Sequence, residues 1–271
     1  MILKYLGTSA AEGWPALFCN CPNCKEASRR GGRDIRSRSQ SLLDGHILLD
    51  FTVDTYYHKL KFGLDLSKID TLIVTHDHAD HFYPWDLLMR VDPYAHDLKV
   101  PVWDICSGKV VIDRINNEIG GAPCSRLHVL KAFETIEVNG TLITPIPASH
   151  MNGGDPFCYA IETGNKRVLY LHDTGEAIGG TLKKLNDKRA FDFISYDCCF
   201  CTRNGGMHGH MGLPNIANLR PLLKEIGLIN ENTVECVNHF SHNTAAFYDD
   251  MAREAGKMGM ICSYDGLEVE F

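Results

Sequence analysis

The chain has 271 residues, of which 44% are hydrophobic and 23% charged, and its formal net charge at pH 7 is -7. This composition excludes a disordered polypeptide and leaves enough apolar residues for a full core, which we expect to form one domain over residues 1–271. The negative charge disfavours a nucleic-acid partner, since broad adhesion depends on many contacts from Lys and Arg to phosphate. The Arg-rich stretch 29–38 predicts a solvated face, with a substrate-facing anion contact as the alternative.

The sequence favours a cytoplasmic protein without a membrane partner. No apolar run approaches the roughly 20 residues of a membrane span, and the N-terminal residues 1–7 are strand-like rather than typical of a signal peptide. The chain has 11 cysteines, an odd number. Without a secretory signal, metal binding or burial explains them better than disulfides do. Size alone suggests a homodimer.

Short strand-like runs alternate with helix-like runs along the whole chain. The predicted strands, in chain order, are 2–6, 40–43, 47–51, 71–75, 99–103, 141–145, 158–162, 167–171, 191–196 and 234–238. The predicted helices are 56–62, 85–91, 109–119, 180–185, 213–226 and 244–257. This alternation predicts the α/β (α+β) class, with sheets covered by helices.

Three cysteines near the N-terminus form a C-x-C-x-x-C run at Cys19, Cys21 and Cys24. Their thiolates are close enough in sequence to bind one ion. A structural zinc site has four ligands, so a distant residue must complete this loop at 19–24. The alternative is that the three cysteines are only buried or redox-labile.

The strongest signal is the segment 75–81, T-H-D-H-A-D-H, directly after the apolar run 71–74. It offers four potential ligands within six residues: His76, His78, Asp80 and His81. A buried strand would deliver this loop rigidly, and the turn beyond it would let the ligands serve two adjacent ions. Imidazole together with carboxylate suits zinc, and also manganese or iron. The alternative is a polar surface turn that is rich in histidine.

The H-x-H-x-D-H loop resembles the signature of the metallo-β-lactamase superfamily. The resemblance implies a four-layer αββα sandwich and further ligands at the ends of later strands, namely His150, Asp173 and His239. It implies one ion bound by His76, His78 and His150 and a second bound by Asp80, His81 and His239. Asp173 and a water would bridge these two zinc or manganese ions, which acidify the water into a nucleophile. We expect His172 to pack beside the site rather than bind metal.

Within this superfamily, the cysteine run most resembles the phosphodiesterase branch of the carbon-phosphorus lyase pathway, which acts on a cyclic ribosyl phosphate. In that branch a histidine three residues after the last catalytic one closes the cysteine loop. The matching residue here is His242, which would be the fourth ligand of one structural zinc. Coenzyme-biosynthesis proteins of the superfamily can carry a similar loop and remain an alternative.

A glycine-rich loop at 206–213, which leads into a predicted helix, carries His208 and His210. Expulsion of an alkoxide needs a proton, and histidine can supply it near neutral pH. In the phosphodiesterase branch a histidine with Leu three positions later occupies this loop, which matches His210 and Leu213, with His208 in reserve. The alternative for His210 is a helix-entry residue that is hydrogen-bonded to the backbone. The nearby segment 197–201, which carries three cysteines, is interpreted as buried core.

Together with these motifs, the resemblance implies a dinuclear-metal-dependent phosphodiesterase for a small-molecule, cyclic or nucleotide-like ribosyl phosphodiester, with His210, Asp80 and Asp173 as the catalytic residues. A thioester hydrolase of the glyoxalase II type is an alternative that would use the same ions but would not need His210. A protein whose metals are vestigial or sense a metabolite is a further alternative. A tRNA-processing nuclease would need a basic arm, which the acidic sequence does not provide.

Overall fold

The computed structural model describes residues 1–150, 154–185, 189–244 and 246–271. Its strands are β1 (Ile2–Gly7), β2 (Gln40–Leu43), β3 (Ile47–Leu49), β4 (Thr71–Ile73), β5 (Trp103–Ser107), β6 (Ser125–Val129), β7 (Ile136–Val138), β8 (Thr141–Pro147), β9 (Phe157–Thr163), β10 (Lys166–Leu171), β11 (Phe193–Asp197), β12 (Val234–Asn238), β13 (Ile261–Cys262) and β14 (Glu268–Glu270). Its α-helices are α1 (Pro22–Arg30), α2 (Thr55–Phe62), α3 (Lys109–Ile119), α4 (Ile178–Leu182), α5 (Leu213–Glu225) and α6 (Tyr248–Lys257). Short 3₁₀ helices lie at Gly32–Asp34, Leu66–Lys68, Pro84–Arg90 and His242–Thr244.

The strands form two sheets of seven, in the orders β14-β1-β2-β3-β4-β5-β6 and β13-β12-β11-β10-β9-β8-β7. In the first sheet, β3 to β6 run parallel to one another. In the second, β10 to β13 run parallel, and β8 has the same direction because two antiparallel pairings separate it from β10. The carboxyl ends of these strands therefore meet at one edge of each sheet, where open α/β sheets place their functional loops.

The core has three layers because side chains alternate along each strand and both faces of each sheet are covered. Residues that face inward from the two sheets form the central layer, among them Leu3, Tyr5, Ile73, Tyr159, Val168 and Phe193. On the outer face of the second sheet, Ile194 clusters with Leu219 of α5 and Met251 of α6. On the outer face of the first, Leu72 clusters with Ile112 of α3. The prediction of a four-layer αββα sandwich is confirmed.

Local differences from the prediction have identifiable causes. The predicted helix 109–119 coincides with α3, but the strand expected at 99–103 lies at Trp103–Ser107. Pro101 has no N–H to donate to a ladder, so pairing begins only after it. The predicted helix 85–91 is the 3₁₀ helix Pro84–Arg90. The helix expected over 244–257 begins at Tyr248, and its predicted residue Ala245 lies outside the described residues.

The prediction also missed the strands β6, β7, β13 and β14. Three of these strands have only two or three residues, and β6 shows no alternation of buried and exposed positions. Strands this short carry too little periodicity to be recognised without their partners. Across the described residues, no helix combines the length and the apolar character needed to cross a bilayer.

Candidate metal centre

The residues of the predicted centre lie on loops that follow the carboxyl ends of strands from both sheets. The loop with His76 follows β4, and His150 lies three residues after β8. Asp173 lies two residues after β10, and His239 follows β12 directly. Because these strands end at adjoining edges of the two sheets, side chains separated by up to 163 positions meet in one place.

The first group consists of His76, His78 and His150, each of which has one ring nitrogen within 4.8 Å of those of the other two. His150 Nε2 lies 3.3 Å from His78 Nδ1. Burial lowers the pKa of His76, and the neighbouring histidines lower it further. A neutral imidazole has a free lone pair, so this group is suited to bind a cation.

The second group consists of Asp80, His81, Asp173 and His239, all buried and with ligand atoms within 4.8 Å of one another. His81 Nε2 lies 2.5 Å from Asp173 Oδ2, and His239 Nε2 lies 2.7 Å from Asp173 Oδ1. His76 Nε2, from the first group, lies 3.6 Å from Asp173 Oδ2. Asp173 therefore lies between the two groups, which is the position that the resemblance assigned to a bridging carboxylate.

Unsatisfied buried atoms support the fit of cations to these groups. Among the described residues, His76 Nε2, His81 Nε2 and Asp173 Oδ1 are buried without a hydrogen bond, although imidazole and carboxylate atoms lie less than 3 Å apart. Buried polar atoms are costly to leave unpaired. Short contacts without hydrogen-bond geometry indicate that the lone pairs converge on common points, where divalent cations would satisfy them.

Asp50, which the sequence analysis missed, orients one member of this centre. Its Oδ2 accepts a hydrogen bond from His81 Nδ1 at 2.7 Å, and its Oδ1 accepts from the Thr75 N–H at 2.7 Å and the Thr75 hydroxyl at 2.8 Å. A carboxylate on one ring nitrogen fixes the tautomer and turns the other nitrogen towards the metal position. Asp50 directly follows β3, so its place at a strand end was the available signal.

Three residues of the site have left-handed backbone conformations. Asp50, Asp173 and His239 have φ angles of 67°, 50° and 66°. Non-glycine residues adopt this region at a cost of about 1–3 kcal/mol, and such residues cluster at functional sites. Each lies just beyond a strand, where this turn of the backbone redirects the side chain into the site.

The structure pairs His210 with Asp197, a residue that the sequence analysis included in buried core. His210 Nδ1 lies 2.8 Å from Asp197 Oδ2 and 3.3 Å from Asp173 Oδ1. Although burial lowers it, these two carboxylates raise the pKa of His210 to about 9, which favours the protonated ring. Asp197 is the last residue of β11. The buried interpretation holds for the neighbouring cysteines Cys198, Cys199 and Cys201.

The loop that carries His210 also carries His208, whose side chain contacts Ser149 instead of the candidate metal groups. His208 is exposed, and its Nδ1 lies 2.6 Å from Ser149 Oγ. Gly175 lets this loop pack closely, because a Cβ there would lie 2.4 Å from the Met207 carbonyl oxygen. Of the two histidines, His210 is the one beside the candidate metal groups.

The predicted cysteine site is also assembled. The sulfur atoms of Cys19, Cys21 and Cys24 lie 3.8, 3.6 and 3.4 Å from His242 Nδ1. Tetrahedral zinc, with its usual bond lengths to sulfur and nitrogen, separates these atoms by about 3.5 Å. The Cys24 backbone N–H and the His242 side chain lower the pKa of Cys21 to about 6, whereas burial raises that of Cys24 to about 11. The four residues fit one structural zinc.

His172 is buried, and its Nε2 lies 2.7 Å from Ser195 Oγ. Its ring is tilted by 39° against the Tyr170 ring, and the two ring centroids are 3.7 Å apart. His172 thus packs behind the centre, between the sheets.

A cavity of about 320 Å³ opens over the candidate centre. Its lining consists of Ala10, Ala11, Glu12, His78, Asp80, His150, Asp173, Cys199, Phe200, His210, His239, Ser241, Asn243 and Thr244. The cavity therefore joins both metal groups and His210 to a wall formed by the loops after β1 and β12.

Residues 46–228 match the model of the Beta-lactamase superfamily domain. Solved structures with a similar fold include a diphosphatase of the PhnP family, with 21% identity, a TM-score of 0.72, and coverage of 100% of this chain and 96% of that chain. Zn²⁺-bound PqqB from Methylobacterium extorquens is 18% identical, with a TM-score of 0.75 and full coverage of both chains. Human tRNase Z, short form, is 16% identical, with a TM-score of 0.64 and coverage of 100% and 99%. No curated protein matches the chain. At these identities the solved structures show a shared fold.

Proposed function

The chain belongs to the β-lactamase superfamily, and from that premise we propose that it is a metal-dependent hydrolase that cleaves a phosphodiester bond. The observation that carries the proposal is the place of His210, which is held by Asp197 in the same cavity as both candidate metal groups. A thioester hydrolase has a good leaving group and needs no such histidine. An alkoxide leaving group does need a proton donor.

The residues around the cavity would have three roles: metal binding, orientation of a metal ligand, and proton donation. Divalent cations, zinc or manganese, held by the two groups would supply an acidified water as nucleophile and neutralise charge on the phosphate. Asp80 and Asp173 complete the ligand set, and Asp50 keeps His81 in the binding tautomer. Asp197 engages His210 Nδ1, which leaves Nε2 as the nitrogen that can donate a proton to the leaving oxygen.

The likeness of the cysteine site to the phosphodiesterase branch supports a proposal for the substrate class. Cys19, Cys21, Cys24 and His242 come together as that branch implies, and we propose that they bind one structural zinc. We therefore propose a small, cyclic or nucleotide-like ribosyl phosphodiester as the substrate. The 320 Å³ cavity lies at the small end of the usual range for ligand sites, which supports a small molecule rather than a polymer.

The test compares two substrates on protein reconstituted with zinc or with manganese. We expect hydrolysis of bis-p-nitrophenyl phosphate that depends on the added metal and is lost with a chelator. We expect turnover of an acyl-glutathione thioester to be slower. A fully metallated protein that leaves the diester intact, or that prefers the thioester, would contradict the proposal. A panel of cyclic and linear diesters then identifies the preferred class.

A further inference from the structure

Among the described residues, Glu12 is the one carboxylate of the cavity lining that belongs to neither candidate metal group. It lies in the loop after β1, and its side chain is 30% exposed. The Ser241 hydroxyl donates a hydrogen bond to Glu12 Oε1 at 2.6 Å, and His242 Nε2 lies 3.7 Å from the same oxygen. Within the described residues, Oε2 has no hydrogen-bond partner. Glu12 is thus fixed through one oxygen and has the other available to a ligand.

The charges around the cavity limit what can bind beside Glu12. Its lining, in the part of the chain that the structure describes, includes no Lys or Arg. Negative charge on a substrate would therefore be neutralised only by the bound cations and by His210. A second phosphate placed near Glu12 would meet a carboxylate without a compensating cation, which is unfavourable in a partly buried site.

The rest of this wall consists of small apolar residues and of polar residues. Ala10 and Ala11 leave room beside Glu12, and the Asn243 side-chain amide donates a hydrogen bond to Ser241 Oγ at 2.9 Å. The chain Asn243 to Ser241 to Glu12 orients the carboxylate. Carboxylate oxygens only accept hydrogen bonds, so this wall favours ligand groups that donate them, such as hydroxyls.

We propose that Glu12 determines substrate specificity: it accepts a hydrogen bond from a hydroxyl of the organic group esterified to the phosphate, and its charge excludes substrates that carry a second phosphate. This inference rests on the proposed phosphodiesterase function and narrows it. The substrate is a diester with a single phosphate and a hydroxyl-bearing, sugar-like group. A diphosphate would be a poor substrate for this chain.

The kinetic test uses three phosphodiesters that share a p-nitrophenol leaving group. Their second ester substituent is a ribosyl group, an ethyl group, or a ribosyl group that carries an additional phosphate. In Glu12→Ala, kcat/KM for the ribosyl diester should fall by about 10- to 100-fold, as for loss of a hydrogen bond to a charged group, and the ethyl diester should change by less than about twofold. In Glu12→Gln, turnover of the doubly phosphorylated diester relative to the ribosyl diester should rise. Equal changes for the ribosyl and ethyl diesters, or no change, would overturn the inference.

A binding measurement separates this inference from the proposed function. Calorimetry compares ribose 5-phosphate with inorganic phosphate on zinc-loaded wild type and Glu12→Ala. If the wild type hydrolyses no diester, the proposed function fails. The role of Glu12 is still supported if Glu12→Ala binds ribose 5-phosphate more weakly than the wild type does and binds inorganic phosphate equally well. Equal binding of ribose 5-phosphate to both proteins overturns that role.

Two controls exclude a purely structural effect. Glu26→Gln removes a negative charge from the partly exposed side of α1, where Glu26 pairs with Arg29 and Arg30, and it should leave all three rates unchanged. Metal analysis should find the wild-type zinc content in Glu12→Ala. Loss of zinc from the variant would show that Glu12 acts by supporting His242, and it would overturn the inference.

Discussion

Replacement of Asp173 with Ala is expected to lower kcat for diester hydrolysis by at least about 10³-fold, since paired cations contribute several kcal/mol to the reaction. Asp173 is the residue whose two oxygens contact His81 and His239 and lie near His76. Without it the two groups lose their common ligand. The variant should also bind fewer catalytic cations, which equilibrium dialysis followed by metal analysis measures.

Asp104→Asn is the matched control for this substitution. Asp104 is also a buried carboxylate at a sheet strand, but it pairs with Arg126 and His128 at the start of β5. Its loss should leave the metal content and kcat near those of the wild type. Wild-type metal content together with wild-type turnover in Asp173→Ala would disprove the bridging role.

The second large effect is expected from His210→Ala. General acid catalysis contributes typically about 10²- to 10⁴-fold, so kcat for a diester with an alkyl leaving group should fall by that amount. A p-nitrophenolate leaves without protonation, and the loss with that leaving group should be much smaller. The measurement is the ratio of the two rate losses in the same variant.

His208→Ala provides the comparison for His210→Ala, because His208 lies on the same loop and pairs with Ser149. We expect little change in kcat for either leaving group. Equal rate losses for alkyl and nitrophenyl leaving groups in His210→Ala would argue against proton donation. A larger decrease in kcat in His208→Ala than in His210→Ala would identify His208 as the proton donor.

Much of the site was predictable because its chemistry is concentrated in one local pattern. The loop 75–81 follows a buried strand, and the superfamily resemblance then directed attention to strand ends for His150, Asp173 and His239. Asp50 and Asp197 also lie at strand ends, but the metal-ligand motif of the superfamily does not include them. Asp197 precedes three buried cysteines, so its segment was interpreted as core.

The contacts of Glu12 depend on the tertiary structure and have no local signal. Glu12 meets Ser241 across 229 positions of sequence, and only the adjacency of the loops after β1 and β12 brings them together.

The strand predicted at 99–103 was misplaced because a local signal was misleading. Its apolar residues suggested a strand, but pairing with β4 begins only at Asp104, after the proline.

The most direct test of the two-cation centre is an anomalous-difference map from crystals of the zinc-reconstituted protein. We predict two peaks about 3.5–4 Å apart on either side of Asp173, one beside His76, His78 and His150 and the other beside Asp80, His81 and His239. A third peak should lie among Cys19, Cys21, Cys24 and His242. A map with a zinc peak at the cysteines and none beside Asp173 would contradict the account.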